Sequence, residues 1–216
     1  MLFLLNRFAD NIKKVKSIKD ILGYDMNDIQ IIELEMLKEL DRISKKHNID
    51  YYLAYGSALG GVRENGFIKW DTDVDVIVKY DIYNLLCERL RDELDKRYTI
   101  VYYKYNDKYN SLKARICLKD KDHHYVHIDL FPLVGAPHEK REQKRFIKVT
   151  YLIYRMYFAK KLKSLQLYRN QRRKLLISIL VKIPLLLISS KLLIKLYEKN
   201  CTKYPIKMAD YLHNPC

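Results

Sequence analysis

YGSALGGVRENGFIKWDTDVDVIV, residues 55–78, is the stretch whose reading decides the fold. It holds a Gly-Ser pair, one arginine, and three carboxylates at alternate positions: Asp71, Asp73 and Asp75. Successive strand side chains point to opposite faces, so Asp73 and Asp75 emerge on one face, a pleat apart. Like charges held that close repel, and a hard divalent cation between them relieves the repulsion. Val74, Val76, Ile77 and Val78 bury the rest of that strand. A run of Asp-Thr-Asp also suits a turn or a helix cap, which is the plainer alternative.

Gly56-Ser57 lies about fifteen residues upstream, after a short apolar stretch, Tyr51 to Tyr55, that reads as a strand, and before a short helix. Backbone amides at such a turn and helix start hold phosphate. Phosphate-holding amides beside a carboxylate pair form the layout of a phosphoryl or nucleotidyl transfer site.

The chain of 216 residues suits one domain with an appendage. Its formal net charge of +15 is unevenly spread. Residues 1–137 carry 22 Lys+Arg and 22 Asp+Glu, whereas residues 138–216 carry 19 and 4. A balanced carboxylate-bearing part, 1–137, is therefore followed by a basic part, 138–216, which attracts an anionic surface. Cys87, Cys117, Cys201 and Cys216 form no CxxC pair, so neither a zinc knuckle nor a disulfide framework is indicated, and reduced thiols in a cytosolic compartment are expected. Asn6, Arg7 and Asp10 cut the initial apolar run too soon for a signal peptide.

Periodicity predicts a basic amphipathic helix over 1–24 and the clearest helix over 28–47. In the latter, Ile29, Ile32, Leu34, Met36, Leu37, Leu40 and Ile43 supply a broad apolar face, and it reads as a scaffold helix. Further elements are strands at 50–55 and 74–78, a helix at 82–94, strands at 98–104 and 112–118 joined by a polar turn, and a strand at 125–133 ended by Gly135 and Pro137. The class is α+β, a small mixed sheet with flanking helices followed by a basic helical C-terminal region. Residues 140–174 carry thirteen Lys/Arg interleaved with aromatics. Residues 175–196 are apolar but interrupted by Lys182 and Pro184, and the charge-free run 183–190 is far short of the ~20 residues of a membrane span. Such a region suits a helix lying on a membrane surface, or helices packed on the sheet with a solvated lysine face.

Phosphoryl transfer with two metals calls for a further carboxylate, and Asp129 in HIDLF has the right strand context. An ion-paired strand-end aspartate is the alternative. His127 shares its face, whereas His123 and His124 read as loop residues. Lys113 and Arg115 alternate on one strand face, where they either meet phosphates or form surface pairs.

Taken together, YGSALGGVRENGFIKWDTDVDV (55–76) and HIDLFPLVGAP (127–137) resemble the LicD family of phosphotransferases, which have the nucleotidyltransferase fold. The resemblance implies a phospho-alcohol, such as phosphocholine, transferred from a CDP-activated donor to a lipid-linked cell-surface glycan of lipopolysaccharide, teichoic acid or capsule. It implies Mg2+ or Mn2+ held by Asp73, Asp75 and Asp129, the catalytic set, with CDP-choline as the expected donor. Gly56 and Ser57 would form the phosphate turn, Arg63 would steady a loop or a phosphate, and Asp71 would support the pair. Thr72 stands where the family usually has an aspartate, and Val134 where an aspartate is frequent. Members commonly continue into a Tyr-Gly-Asp-Tyr type motif, and none precedes Cys216, which leaves donor specificity open. The expected location is cytoplasmic, peripheral on the inner face of the cell membrane. Two competing readings remain: a nucleotidyltransferase adding NMP to a small molecule, protein or RNA, and an inactive basic binding module. The intact carboxylate set argues against the module, and nucleic acid is the less favoured partner.

Overall fold

The computed structural model describes residues 28–71, 73–119, 126–161, 187–206 and 211–213. The predicted helix over 1–24, His123 and His124, Thr72, and the apolar stretch up to residue 186 lie outside them. The chain divides into two compact units, Met1–Val101 with Lys113–Pro132, and Tyr102–Leu112 with Leu133–Cys216.

The first unit opens with α1 (Asp28–Lys46). Its face of Met36, Leu37, Leu40 and Ile43 is buried, as the 3.6-residue spacing predicts. The short strand β1 (Tyr52–Leu53) leads into α2 (Tyr55–Arg63). Next come β2 (Val74–Lys79), α3 (Tyr80–Glu93), β3 (Tyr98–Val101), β4 (Ala114–Leu118) and β5 (His127–Ala136). The sheet order is β1-β2-β5-β4-β3. The β1–β2, β3–β4 and β4–β5 pairs are antiparallel. The small α+β sheet expected from the sequence is therefore present.

The register brings distant residues together. Val74, Val76 and Val78 of β2 are buried while Asp75, Ile77 and Lys79 are half-buried, the period-2 pattern of a strand with one face in the core. Along β4–β5, Arg115 lies opposite Asp129 and Cys117 opposite His127. Directly opposed residues point to the same face, so this register sets a cation against a carboxylate.

One buried tyrosine closes the near end of that ladder. Tyr83 of α3 donates its hydroxyl to the Leu130 carbonyl at 2.6 Å and accepts the Ala114 amide at 2.7 Å. Tyr83→Phe keeps the ring but leaves a buried amide and a buried carbonyl without this partner. It is expected to cost about 1–3 kcal/mol, read as a lower urea midpoint at unchanged m-value.

Three strands are shorter than periodicity suggests. The strand expected over 50–55 is only Tyr52–Leu53, because Tyr55 already belongs to α2. The one expected over 98–104 stops at Val101, and the one expected over 112–118 starts at Ala114. In the second unit, Tyr102 begins a turn instead, its carbonyl accepting from the amides of Tyr105 and Asn106. Tyr102 and Tyr103 are buried, edge to face at 4.4 Å, so burial rather than strand pairing explains their apolar character. The strand expected over 125–133 runs on through Gly135 to Ala136, just short of Pro137. A side chain at Gly135 would lie 2.5 Å from the Tyr204 carbonyl oxygen, so glycine is what lets the strand continue there. The end of β5 pairs antiparallel with β6 (Tyr211–His213).

The second unit also holds α4 (Lys140–Lys161) and α5 (Ser190–Cys201), which pack on each other. Ser189 caps α5 by accepting the Leu192 amide at 3.0 Å. Among the described residues no helix is long and apolar enough to cross a membrane. Cys87, Cys117 and Cys201 are buried thiols.

Candidate active site

The site is built where α2 starts and β2 starts. Ala54 caps α2 without a side-chain hydrogen bond, and Tyr55, its first residue, has φ of 47°. A non-glycine residue in that left-handed region stores roughly 1–3 kcal/mol of strain, which the surrounding structure must hold. Gly56 and Ser57, expected in a turn, stand instead in the first helical turn, where amide groups lack intrahelical acceptors.

Three contacts lock that turn to the carboxylates. The Ala54 amide donates to the Asp75 carbonyl at 2.9 Å. The Asp75 amide donates to Ser57 Oγ at 2.9 Å. A Cβ added at Gly56 would fall 2.6 Å from Asp71 Oδ2, so the missing side chain is what admits Asp71 to the site. Gly60, one turn further along, packs against the backbone of the same loop; a Cβ there would lie 2.5 Å from the Gly66 carbonyl oxygen.

Asp73 precedes β2, Asp75 lies within it, and Asp129 faces them from β5. Burial pushes the Asp75 carboxyl up to about 6, and repulsion from Asp73 and Asp129 adds to this, with Lys113 opposing. Asp129 is only 4% exposed. Burial alone would raise it too, but His127, Lys113 and Arg115 outweigh burial and hold it well below the usual carboxylate range. Lys113 Nζ contacts its Oδ2, Arg115 Nε donates to Oδ1 at 2.6 Å, and His127 Nε2 lies 3.6 Å from Oδ2. Lys113 also sits 4.0 Å over the Phe131 ring, whose edge meets Tyr55 at 5.5 Å. The two cations read from the sequence as phosphate ligands thus meet Asp129 here.

Arg63 is not drawn into this cluster. It closes α2 at the surface, its Nε donating to Glu64 Oε1 at 2.6 Å, with half of its side chain exposed. Trp70, in the loop before Asp71, is 78% exposed.

Sequence reading missed two residues. Gln30 and Glu33 of α1, a helix read as scaffold, are completely buried beside the acidic loop. Gln30 Nε2 donates to the carbonyls of Ile68 at 3.0 Å and Asp71 at 2.8 Å. Neither oxygen of Glu33 makes a well-formed hydrogen bond among the described residues, and the His127 backbone is its favourable polar neighbour. Burial pushes its carboxyl up to about 8; Asp73, Asp71 and Asp75 add to this, and the His127 backbone pulls the other way. The signal was present: polar residues at i and i+3 on a helix face flanked by Leu34 and Leu37 need partners in the core.

The donor set is all oxygen and mutually repelling, and it includes a buried orphan carboxylate, which suits a hard divalent cation. Among the described residues no three His, Cys, Asp or Glu side chains already converge closely enough to hold a metal. Asp129 would have to exchange its ion pairs to join Asp73 and Asp75.

Sheet, strand-borne aspartates and glycine-bearing helix start define a class of α+β protein with a carboxylate site beside a helix N-terminus. The profile described as LicD/FKTN/FKRP, nucleotidyltransferase domain, matches residues 48–171, more than half of the chain, and the chain belongs to the LicD family. It is 23% identical over 199 residues to the lipopolysaccharide cholinephosphotransferase LicD of Haemophilus influenzae, spanning 87% of this chain and 72% of that protein. It is 24% identical over 116 residues to an uncharacterized protein of Rickettsia prowazekii, spanning 46% of this chain and 44% of that one.

Proposed function

We propose that this LicD-family phosphotransferase moves phosphocholine from CDP-choline to a lipid-linked cell-surface glycan, with lipopolysaccharide as the favoured acceptor class. The observation that carries the reading is the stitching of Ser57 and Gly56 at the start of α2 to Asp75 and Asp71. It sets anion-binding amides beside carboxylates, as transfer of a phosphoryl group between oxygens requires. The similarity to a cholinephosphotransferase supports the choice of phosphocholine.

Asp73, Asp75 and Asp129 would hold Mg2+ or Mn2+, which when bound neutralises charge on the donor's diphosphate. The amides of Gly56 and Ser57 orient that diphosphate. Lys113 and Arg115 turn from Asp129 to its oxygens, exchanging one anionic partner for another. Asp129, released from Lys113 and Arg115, is the carboxylate placed to accept the acceptor hydroxyl's proton. The hydroxyl oxygen bonds to the phosphorus of phosphocholine, the bond from that phosphorus to CMP breaks, and CMP leaves. The basic second unit, with Tyr151 and Leu152 exposed among lysines and arginines of α4, serves to hold the enzyme at an anionic membrane face.

The test is CMP release from a panel of CDP-alcohols with Mn2+ and cell extract split into membrane and soluble fractions. Release from CDP-choline, dependent on cation and on the membrane fraction, is expected. Pyrophosphate release from an NTP instead would replace this reading with nucleotidyl transfer. Salt-sensitive polyanion binding without turnover would reduce the protein to a binding module.

A further inference from the structure

Glu33 is poorly satisfied where it stands. Buried polar side chains are hydrogen-bonded in almost all native interiors, yet this carboxyl is 0% exposed and makes no well-formed hydrogen bond among the described residues, the His127 backbone being its favourable polar neighbour. A leucine would fill the same place without an unsatisfied group. Asp73, Asp71 and Asp75 are electrostatic neighbours of Glu33, and Gln30 on the same helix face binds the loop that carries Asp71.

Its neighbour one turn earlier holds the cluster there. Gln30 ties the carbonyls of Ile68 and Asp71 to α1 through one amide group. Residues at i and i+3 share a helix face, so the staple and the orphan carboxylate act on the same loop. The loop is pinned from its other side at Gly56, where Asp71 fills the space a side chain would take. A buried carboxyl is thus fastened close to three others, an arrangement that makes sense when positive charge is placed among them.

We propose that Glu33 is a positioning residue of the active site, a buried carboxyl set behind the divalent cation that Asp73 and Asp75 would hold. Gln30 fixes the distance between that carboxyl and the acidic loop. The inference rests on the cation reading given above and extends the site to α1, outside the segment matched by the family profile.

The test is calorimetric titration of the full chain with MnCl2 at pH 8, where Glu33 can ionise, without donor or acceptor. Wild type is expected to bind, and Asp75→Asn to lose binding. Glu33→Gln, of equal size and no charge, is expected to bind about tenfold or more weakly, as changes behind a metal's ligands do. Glu35→Gln, on the more exposed side of the same helix, controls for net charge and is expected to match wild type. If Glu33→Gln binds Mn2+ like wild type while Asp75→Asn does not, the role of Glu33 is overturned and the cation reading stands. If wild type does not bind, both are overturned. If circular dichroism shows Glu33→Gln unfolded, Glu33→Met carries the same expectation and the same refutation.

Discussion

Asp75→Asn is expected to lower kcat/KM by about three orders of magnitude or more with the fold retained. Losing a ligand of the cation that would stabilise the transferring phosphoryl oxygens removes several kcal/mol, and each 1.36 kcal/mol is a factor of about ten. The substitution keeps shape, and it removes a carboxylate that burial and its neighbours already disfavour. Asp75 has a folded pKa raised from 3.8 to about 6, so its stabilising contribution is present at low pH and fades as pH rises through 6. Asp75→Asn should therefore unfold no more easily than wild type at pH 8. The pH profile of wild-type Mn2+ binding should fall on the acid side as pH drops through 6, because protons compete with the cation for the same carboxylate. A variant with near-normal turnover, or a wild-type profile flat from pH 8 to pH 5, would remove Asp75 from the mechanism.

Glu33 should make the protein less stable as pH rises. Its folded pKa of about 8 stands above its ordinary value of 4.5. Between those values the folded state binds a proton that the unfolded state has released, so stability falls with rising pH. The contribution is complete below pH 4.5 and gone above pH 8. Over that window the loss is at most on the order of 5 kcal/mol. Lowered carboxyls elsewhere, among them Glu39, act with the opposite sign and at more acid pH. The decisive quantity is therefore the difference between wild type and Glu33→Gln, from urea midpoints at pH 5 through 8.5 without divalent cation. The variant should gain on wild type steadily as pH rises; parallel curves would show that Glu33 does not titrate in this range.

Local pattern made much of the fold legible. Val74–Val78 could be read as a strand because its apolar residues and aspartates alternate with the pleat, and it is one, extended by Lys79. The helix expected over 28–47 spans Asp28–Lys46 because its apolar spacing is regular over more than four turns. Reading failed where the reason for burial was not periodic. Tyr102 and Tyr103 looked like strand residues but are buried in a turn, since an aromatic ring is hidden as well by a turn as by a sheet. Gly56-Ser57 looked like a turn but lies within the helix that begins at Tyr55, a residue held in the left-handed region that sequence pattern does not announce.

The candidate site divides in the same way. Alternation pointed to Asp71, Asp73 and Asp75, because it is a local property of a strand, whereas Asp129 followed from its own strand context and from the family resemblance. Tertiary structure decided what each one meets. Ser57 accepts from the amide of Asp75, eighteen residues away; Lys113 and Arg115 bind Asp129 across a strand pair; Gln30 reaches the Asp71 carbonyl over forty-one positions. Those meetings depend on strand order, on register and on which face of α1 turns inward, all set by packing the whole core at once. A chain read residue by residue carries the chemistry of each group; the distances that turn those groups into a site exist only after the fold has closed.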